Sequence, residues 1–486
     1  MKDQYNIRYR SLLKIAGWLI LLESGLMVVP LAVSLFGGEP DWKAFAIAAL
    51  VAGATGGVAV AGNRGEHVRL NRREGYLLIS FIWIVFSLFG MLPFMLCTHP
   101  VGLTDAFFET MSGFTTTGAS IFSDVEALGR GILLWRAMIQ WLGGLGIVLF
   151  LIALLPALND SGGIALFNAE MTGISHDKLH PQIRRTAASL WLVYSVLTAV
   201  MVIFLLAGGM NLFDSLCQAM TTLSTGGFST RNASIAAWGN PYIASVVTVF
   251  MLLGGINFLL LYNLSQRHFQ EVWKNDVLRS YMAIVFIAWA VTAGILAAKG
   301  ERGFDALVVA PLFHVASSIT STGFAYSDYG AWGSTAVCVT ILLMLCGACA
   351  GSTTGGIKID RISALFKNLR NEVVYTLFPR HMKSVEVGGK VVGERGLIRV
   401  MAFISIYLLL TGAGTLLMSF YGYSVTDSFF ASASGMGNNG LGLGATGSGF
   451  GGLPSPLKWF MSAEMLIGRL EIFTVMVLFY KAFWRR

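Results

Sequence analysis

Long apolar runs of helix length alternate along this chain with short polar segments, and the alternation has a fixed order. The apolar runs cover roughly residues 12–36, 43–62, 75–97, 133–156, 187–208, 242–264, 280–298, 334–352, 396–420 and 457–480. Runs of about 20 apolar residues match the hydrocarbon thickness of a bilayer, so the pattern predicts ten membrane-spanning helices. The last eight runs fall into four pairs, and each pair encloses a polar tetrapeptide that contains glycine. The four copies are Thr116-Thr117-Gly118-Ala119, Ser224-Thr225-Gly226-Gly227, Ser321-Thr322-Gly323-Phe324 and Asn438-Asn439-Gly440-Leu441. An acidic residue precedes each by about the length of a short helix: Asp105, Asp214, Asp305 and Asp427. The first pair of runs encloses no such segment.

Hydrophobic helix, short helix, Gly-centred polar strand, hydrophobic helix is the order of a pore-loop hairpin. The glycines at 118, 226, 323 and 440 recur at intervals of roughly 100 residues, which is too long for a solenoid repeat and suits a two-helix hairpin with its linker. Four hairpins around one axis can line it with backbone carbonyls, which replace the hydration shell of a cation. Glycine supplies the unusual backbone angles this needs, and Thr or Ser hydroxyls can brace the strand. Irregular backbone at membrane depth survives only when buried in protein or facing water. A glycine-rich kink in a packed helix accounts for one such segment, not for four at equivalent places. The predicted fold is an all-α polytopic membrane protein, potassium-channel-like, with two N-terminal transmembrane helices and four helix–pore loop–helix repeats around one pore. Its units are residues 1–74, then repeats at 75–180, 181–275, 276–394 and 395–486.

Composition narrows the class. Hydrophobic residues make up 55% of the 486 and charged residues 12%, with mean hydropathy +0.67, outside the range of soluble domains. The net charge of +8 is clustered: 26 of the 34 Lys and Arg lie in segments 1–14, 63–74, 157–186, 265–279, 357–399 and 481–486. Basic loops stay on the cytoplasmic side, so these segments and both termini are expected inside and all four pore loops outside. This distribution speaks for topology and against nucleic-acid binding. Pore helices entering from outside then end near the membrane centre, and their C-terminal partial negative charge favours a cation on the axis.

The first apolar run follows Lys2, Arg8, Arg10 and Lys14 like a signal peptide. It is too long for one, and a retained helix is expected. Five cysteines, Cys97, Cys217, Cys338, Cys346 and Cys349, imply no disulfide framework. Cys346-Gly-Ala-Cys349 sits in a membrane-like setting, which favours small packing residues over a redox or zinc pair.

Two further features concern the pore. The run Gly347-Ala-Cys-Ala-Gly351-Ser352-Thr353-Thr354-Gly355-Gly356-Ile-Lys358 should unwind its helix near mid-membrane, or else mark a helix C-terminus before a basic loop. Arg469 lies within an apolar run, where a charge is costly and faces a cavity or a partner. The plain alternative is an ion pair with Glu464 or Glu471 that ties helices together.

The segments Phe114-Thr-Thr-Thr-Gly118, Ser224-Thr-Gly-Gly-Phe228, Ser321-Thr-Gly-Phe324 and Gly437-Asn-Asn-Gly440 resemble the filter motifs of the Trk/Ktr/HKT superfamily of potassium transporters. The resemblance covers nearly the whole chain. The extra N-terminal pair makes it similar to the bacterial TrkH/TrkG branch rather than the shorter Ktr branch. The resemblance implies potassium uptake across a bacterial inner membrane, with potassium as cargo and no cofactor in this chain. It assigns the filter to Thr116, Thr117, Gly118, Ser224, Thr225, Gly226, Ser321, Thr322, Gly323, Asn438, Asn439 and Gly440. Gly118, where sodium-permeable members carry Ser, implies potassium selectivity, and the Asn pair makes the fourth strand depart from the other three. The resemblance also implies a gate made of the loop 347–358 and Arg469 below the filter. It further implies a homodimer in membrane lipid, with a cytosolic regulatory subunit that binds NAD and ATP or ADP. The basic segment 357–399 is a candidate docking surface for that subunit. A proton- or sodium-coupled symporter with alternating access is the alternative, but inverted repeats would be expected of it and these loops all share one side.

Other patterns carry little. Gly442-x-Gly444-x-x-Gly447 has the GxGxxG spacing without a βαβ context, and His176 and His180 lack a third metal ligand. No Walker A motif and no nucleophile–base pair is present, so an enzyme is not expected.

Overall fold

The computed structural model describes residues 7–65, 70–146, 183–378 and 384–484. His176 and His180, and the end of the apolar run 133–156, lie outside the described residues. The molecule is a multi-pass membrane protein. Among the described residues, six helices are long and apolar enough to cross a bilayer: Tyr9–Phe36, Trp42–Gly62, Arg73–Leu96, Arg185–Ala207, Asp276–Ala298 and Glu394–Phe420. A bent pair, Pro241–Gly254 with Phe258–Ser265, makes a seventh if counted as one span.

The first two helices pack as a hairpin on small residues. A Cβ built on Gly56 would meet the Gly17 carbonyl at 2.9 Å, so the two backbones approach as only glycine allows. The hairpin is pinned to the first repeat by its turn. Glu39 accepts from the backbone N–H groups of Arg130 and Gly131, at a helix N-terminus, and Asp41 accepts from Thr98.

Each repeat has a leading helix, a pore helix and a trailing helix. The pore helices are Leu103–Phe114, Leu212–Leu223, Ala310–Ile319 and Val425–Met436, the third preceded by a π turn at Asp305–Val309. The acidic residues read from the sequence stand in or near their first turns, where the helix dipole favours negative charge. Asn211 and Ser424 cap two of these helices by accepting from the N–H of Asp214 and Asp427, three residues on. The acids also tie down the loops: Lys458 pairs with Asp105, Thr230 and Arg231 donate to Asp214, and Tyr326 donates to Asp305.

The trailing helices correct the sequence reading. Continuous spans were expected at 133–156, 242–264 and 457–480, and in the run 334–352 an unwinding at 347–358. The structure has Arg130–Gly144, Pro241–Gly254, Ser334–Cys346 and Ser455–Arg469, so all four stop after 13 to 15 residues. The second turns by 104° before Phe258. The fourth breaks at Glu471, whose φ is +57°, before the short helix Ile472–Met476. Apolar composition runs straight through the first, second and fourth breaks and hides them. Packing accounts for the first and fourth: a Cβ on Gly143 or Gly468 would press on the carbonyl of Phe114 or Met436, the last residue of that repeat's own pore helix, while one on Gly254 would crowd the Thr225 side chain at 3.1 Å. Beyond the third break, the helix Ile359–Leu377 leads to a small antiparallel hairpin, Val385–Val387 paired with Lys390–Val392. No sequence signal pointed to that hairpin.

Candidate ion pathway

The four polar segments come together, and their backbones are nearly superimposable in pattern. Thr116, Thr225, Ser321 and Asn438 have φ of 54°, 53°, 50° and 50°. Two residues on, Gly118, Gly227, Gly323 and Gly440 have φ of 82°, 77°, 80° and 75°. Left-handed non-glycine residues cost about 1 kcal/mol or more each and cluster where function demands them. The intervening N–H makes the same bond in every repeat: Thr117 to Ser112, Gly226 to Thr221, Thr322 to Ser317 and Asn439 to Ser434, at 2.8–2.9 Å.

This register corrects one assignment. In the second strand the glycine equivalent to Gly118 is Gly227, while Gly226 occupies the position of Thr117. Two adjacent glycines made the sequence ambiguous there, and only the backbone angles separate them.

The strands close into a ring. A Cβ on Gly118 would fall on the Gly226 carbonyl oxygen, one on Gly227 on that of Thr322, one on Gly323 on that of Asn439, and one on Gly440 on that of Thr117. Each of these glycines thus leaves room for a carbonyl of the next strand, that of the residue before its own glycine, and the fourth contact returns to the first strand. Asn438 and Asn439 brace this ring. Asn438 Nδ2 donates to Thr117 Oγ1 and to the Met465 carbonyl, and Asn439 Nδ2 donates to the Ser318 carbonyl. The Asn pair therefore serves the same packing as the hydroxyls it replaces.

On one side of the ring lies an open cavity of about 560 Å³, lined by Gly118, Gly227, Gly323 and Gly440 among others. On the other side lies a cavity of about 60 Å³, lined by Ser352, Thr354, Lys358, Gly468 and Arg469 among others. The loop between Cys346 and Ile359 fills that side without helix or strand, through left-handed Gly347, Gly351, Gly356 and Lys358. It docks on the ring strands: Gly355 N–H donates to Ser321 Oγ at 2.7 Å, and Thr353 Oγ1 lies 3.1 Å from Thr225 Oγ1. Arg469 reaches the same loop, donating to the Thr353 carbonyl at 2.6 Å and to the carbonyls of Gly143 and Gly144. The acids weighed as its partners are engaged elsewhere. Glu464 accepts from Ser432 Oγ at 2.6 Å, and Glu471 pairs with Arg361.

A family model, TrkH, described as a cation transport protein, matches residues 42–293 and 297–485. The chain belongs to the TrkH family. The Trk system potassium uptake protein TrkH of Escherichia coli K12 is 34% identical over 483 residues, covering 99% of this chain and all of that relative. TrkG of the same strain is 35% identical over 480 residues, covering 98% of this chain and 99% of the relative. The crystal structure of the potassium transporter TrkH from Vibrio parahaemolyticus superposes with a TM-score of 0.88 at 30% identity, over 98% of this chain and all of the other. These relatives are transport proteins, and this chain is no enzyme.

Within this TrkH-family fold, sequence reading missed a buried ion pair behind the first of the four ring strands. Arg136 Nε lies 2.8 Å from Glu109 Oε1, and both side chains are at most 2% exposed. Glu109 also accepts from Ile121 N–H and Ser120 Oγ, while Arg136 donates to the Ser229 carbonyl and covers the Phe228 ring. The pair welds the first strand to the second. The charge of Arg136 between apolar residues was the available signal, but its partner 27 positions away was not readable without the fold.

Proposed function

We propose that this chain mediates potassium uptake across a bacterial inner membrane, through a filter that coordinates the ion with backbone oxygens. The carrying observation is the closed ring of Thr117, Gly226, Thr322 and Asn439 carbonyls against the missing Cβ atoms of Gly440, Gly118, Gly227 and Gly323. Backbone oxygens in such a ring can take the place of a potassium hydration shell. The four pore helices end on this ring, and their C-terminal dipoles favour a cation. The related proteins named for potassium uptake and transport support the choice of ion. The filter faces the outside and both termini the cytoplasm, in line with the basic segments.

The loop 347–358 and Arg469 form the gate, since together they nearly fill the space beneath the ring. The chain works as a homodimer with a cytosolic subunit that binds NAD and ATP or ADP. In support of the dimer, Phe366, Leu369, Val373 and Leu377 form an exposed apolar stripe along the helix Ile359–Leu377. A nucleotide on the regulatory subunit can open the pore only by binding the open and closed states with different affinity.

The test is reversal potential and rubidium flux of the purified protein in liposomes under defined potassium, sodium and proton gradients. Flux that follows the potassium gradient alone supports the channel-like reading. A reversal potential that shifts with proton or sodium gradients would instead establish a symporter.

A further inference from the structure

The second filter strand lacks a side chain that the other three possess. At the position of Gly226 they carry Thr117, Thr322 and Asn439. Thr117 shares a hydrogen bond with Thr115 at 2.8 Å, Thr322 shares one with Thr320 at 2.7 Å, and Asn439 donates to the Ser318 carbonyl. Each strand is held beside its ring carbonyl by its own residue. Gly226 can make no such bond.

The space it leaves is filled from another helix. Gln140, fully buried on the first repeat's trailing helix, has its amide where a Gly226 Cβ would stand. Its Nε2 donates to the Gly226 carbonyl at 2.7 Å, and its Oε1 accepts from the Phe228 N–H at 3.0 Å. The amide orientation follows from chemistry, because a backbone N–H must face the oxygen and a carbonyl must face the NH₂. The two bonds straddle Gly227, the left-handed glycine of this strand. One turn earlier on the same helix, Arg136 donates to the Ser229 carbonyl.

We propose that Gln140 is a positioning residue for ion selectivity, lent by the first repeat to supply the side chain that Gly226 lacks. The inference rests on the potassium-filter reading above. Gln140 fixes the direction of one of the four ring carbonyls and occupies one of its two lone-pair sites, leaving the other for the ion. Without it, a buried carbonyl and a buried N–H lose their partners and the strand can relax inward. A ring free to shrink accepts a smaller cation, so sodium should gain.

The structure also supplies a rescue. Ser224 stands where Thr115 and Thr320 stand, two residues before the ring position. Gly226 is not among the positive-φ residues, so its backbone accepts a side chain once Gln140 is shortened. Gly226→Thr combined with Gln140→Ala should restore the hydroxyl pair seen in strands one and three.

The experiment is rubidium uptake with sodium competition by the full-length protein in cells lacking other potassium uptake, normalised to folded protein by fluorescence size-exclusion. Gln140→Leu and Gln140→Ala should each lower the preference for rubidium over sodium about tenfold, the order expected for losing one or two hydrogen bonds. Gly226→Thr alone, which collides with Gln140, should lose preference as well, while the double variant regains most of it. A purely structural role would lower yield and leave the preference of the folded fraction unchanged. Wild-type preference in folded Gln140→Leu, or a double variant no more selective than Gln140→Ala, overturns the proposal. If Gln140→Leu does not fold, the comparison of Gln140→Ala with the double variant decides. Wild-type protein that takes up rubidium without preference over sodium sinks the potassium reading itself, an outcome distinct from selective wild type with indifferent variants.

Discussion

Arg469→Ala should raise basal flux, and the structure sets the scale. The guanidinium borders the 60 Å³ space beneath the ring and bridges the loop at Thr353 to the first trailing helix at Gly143 and Gly144. A potassium ion entering that space meets a fixed positive charge. At about 4 Å and an effective dielectric near 20 the repulsion is about 4 kcal/mol, and at about 8 Å it is about 2 kcal/mol. These figures correspond to flux increases of roughly 1,000-fold and 30-fold when the charge is removed. The same substitution removes hydrogen bonds that tether the loop, each worth about 1.5–3 kcal/mol for a charged donor. Arg469→Lys separates the two effects. It keeps the charge, but a single ammonium cannot span carbonyls on both sides of the space. Its flux should rise far less than that of Arg469→Ala if charge dominates, and about equally if the tether dominates. Rubidium flux in proteoliposomes, per folded molecule and without any regulatory subunit, gives the answer. A folded Arg469→Ala protein with flux at or below wild type would refute the reasoning for both effects.

Other expectations follow from the same geometry. Gly227→Ala should abolish selective uptake, because its φ of +77° and the adjacent Thr322 carbonyl leave no place for a methyl group; wild-type behaviour would return the filter assignment to Gly226. Gly118→Ser should weaken rubidium-over-sodium preference in the same competition assay, since its added side chain meets the Gly226 carbonyl. Single cysteines at Ser123 and Lys367 in a cysteine-free background should label from opposite sides of sealed cells, and labelling of both from outside would overturn the orientation. Arg136→Met or Glu109→Gln alone should lower stability by about 3–5 kcal/mol, because the remaining partner is left buried and unpaired, whereas the double change should cost less in a thermal-shift series.

The sequence revealed what is periodic and local. The four Gly-centred segments, the acids in or near the first turns of the pore helices, and the unwound stretch at 347–358 were all legible, because each is a composition signal at fixed spacing. Three things were not. The breaks at Gly144, Gly254 and Arg469 lie inside apolar runs, and the close contacts beside them, with a pore-helix carbonyl at Gly143 and Gly468 and with the Thr225 side chain at Gly254, do not register in hydropathy. The register of the second strand was hidden by the Gly226-Gly227 pair, since either glycine fits the motif and only φ distinguishes them. For Arg469 the loop 347–358 was the expected neighbour and Glu464 or Glu471 the alternative, but its bonds to the Gly143 and Gly144 carbonyls of the first repeat were not readable. Pairing by charge is a sequence-local guess, whereas carbonyls set free by a broken helix are a property of the assembled fold.

That last point bears on how a gate and a filter can share one site. The four pore helices end on the ring strands, the trailing helices of the first and fourth repeats end against pore-helix carbonyls, and each C-terminus presents carbonyls without helical partners. Such a place attracts any cation, whether carried or tethered. Arg469 answers this attraction from within the chain: its guanidinium satisfies carbonyls at the first trailing helix and in the loop. The features that would draw potassium through the ring are therefore also those that hold the block in place. On the gate proposed above, opening exchanges one cation for another rather than exposing bare carbonyls. The exchange is cheap if water can enter, and the existing space of about 60 Å³ already exceeds what one water needs, about 10–15 Å³, before the arginine side chain is removed. Arg469→Ala should consequently fold with its freed carbonyls hydrated, which is what allows its flux, rather than its yield, to decide the mechanism.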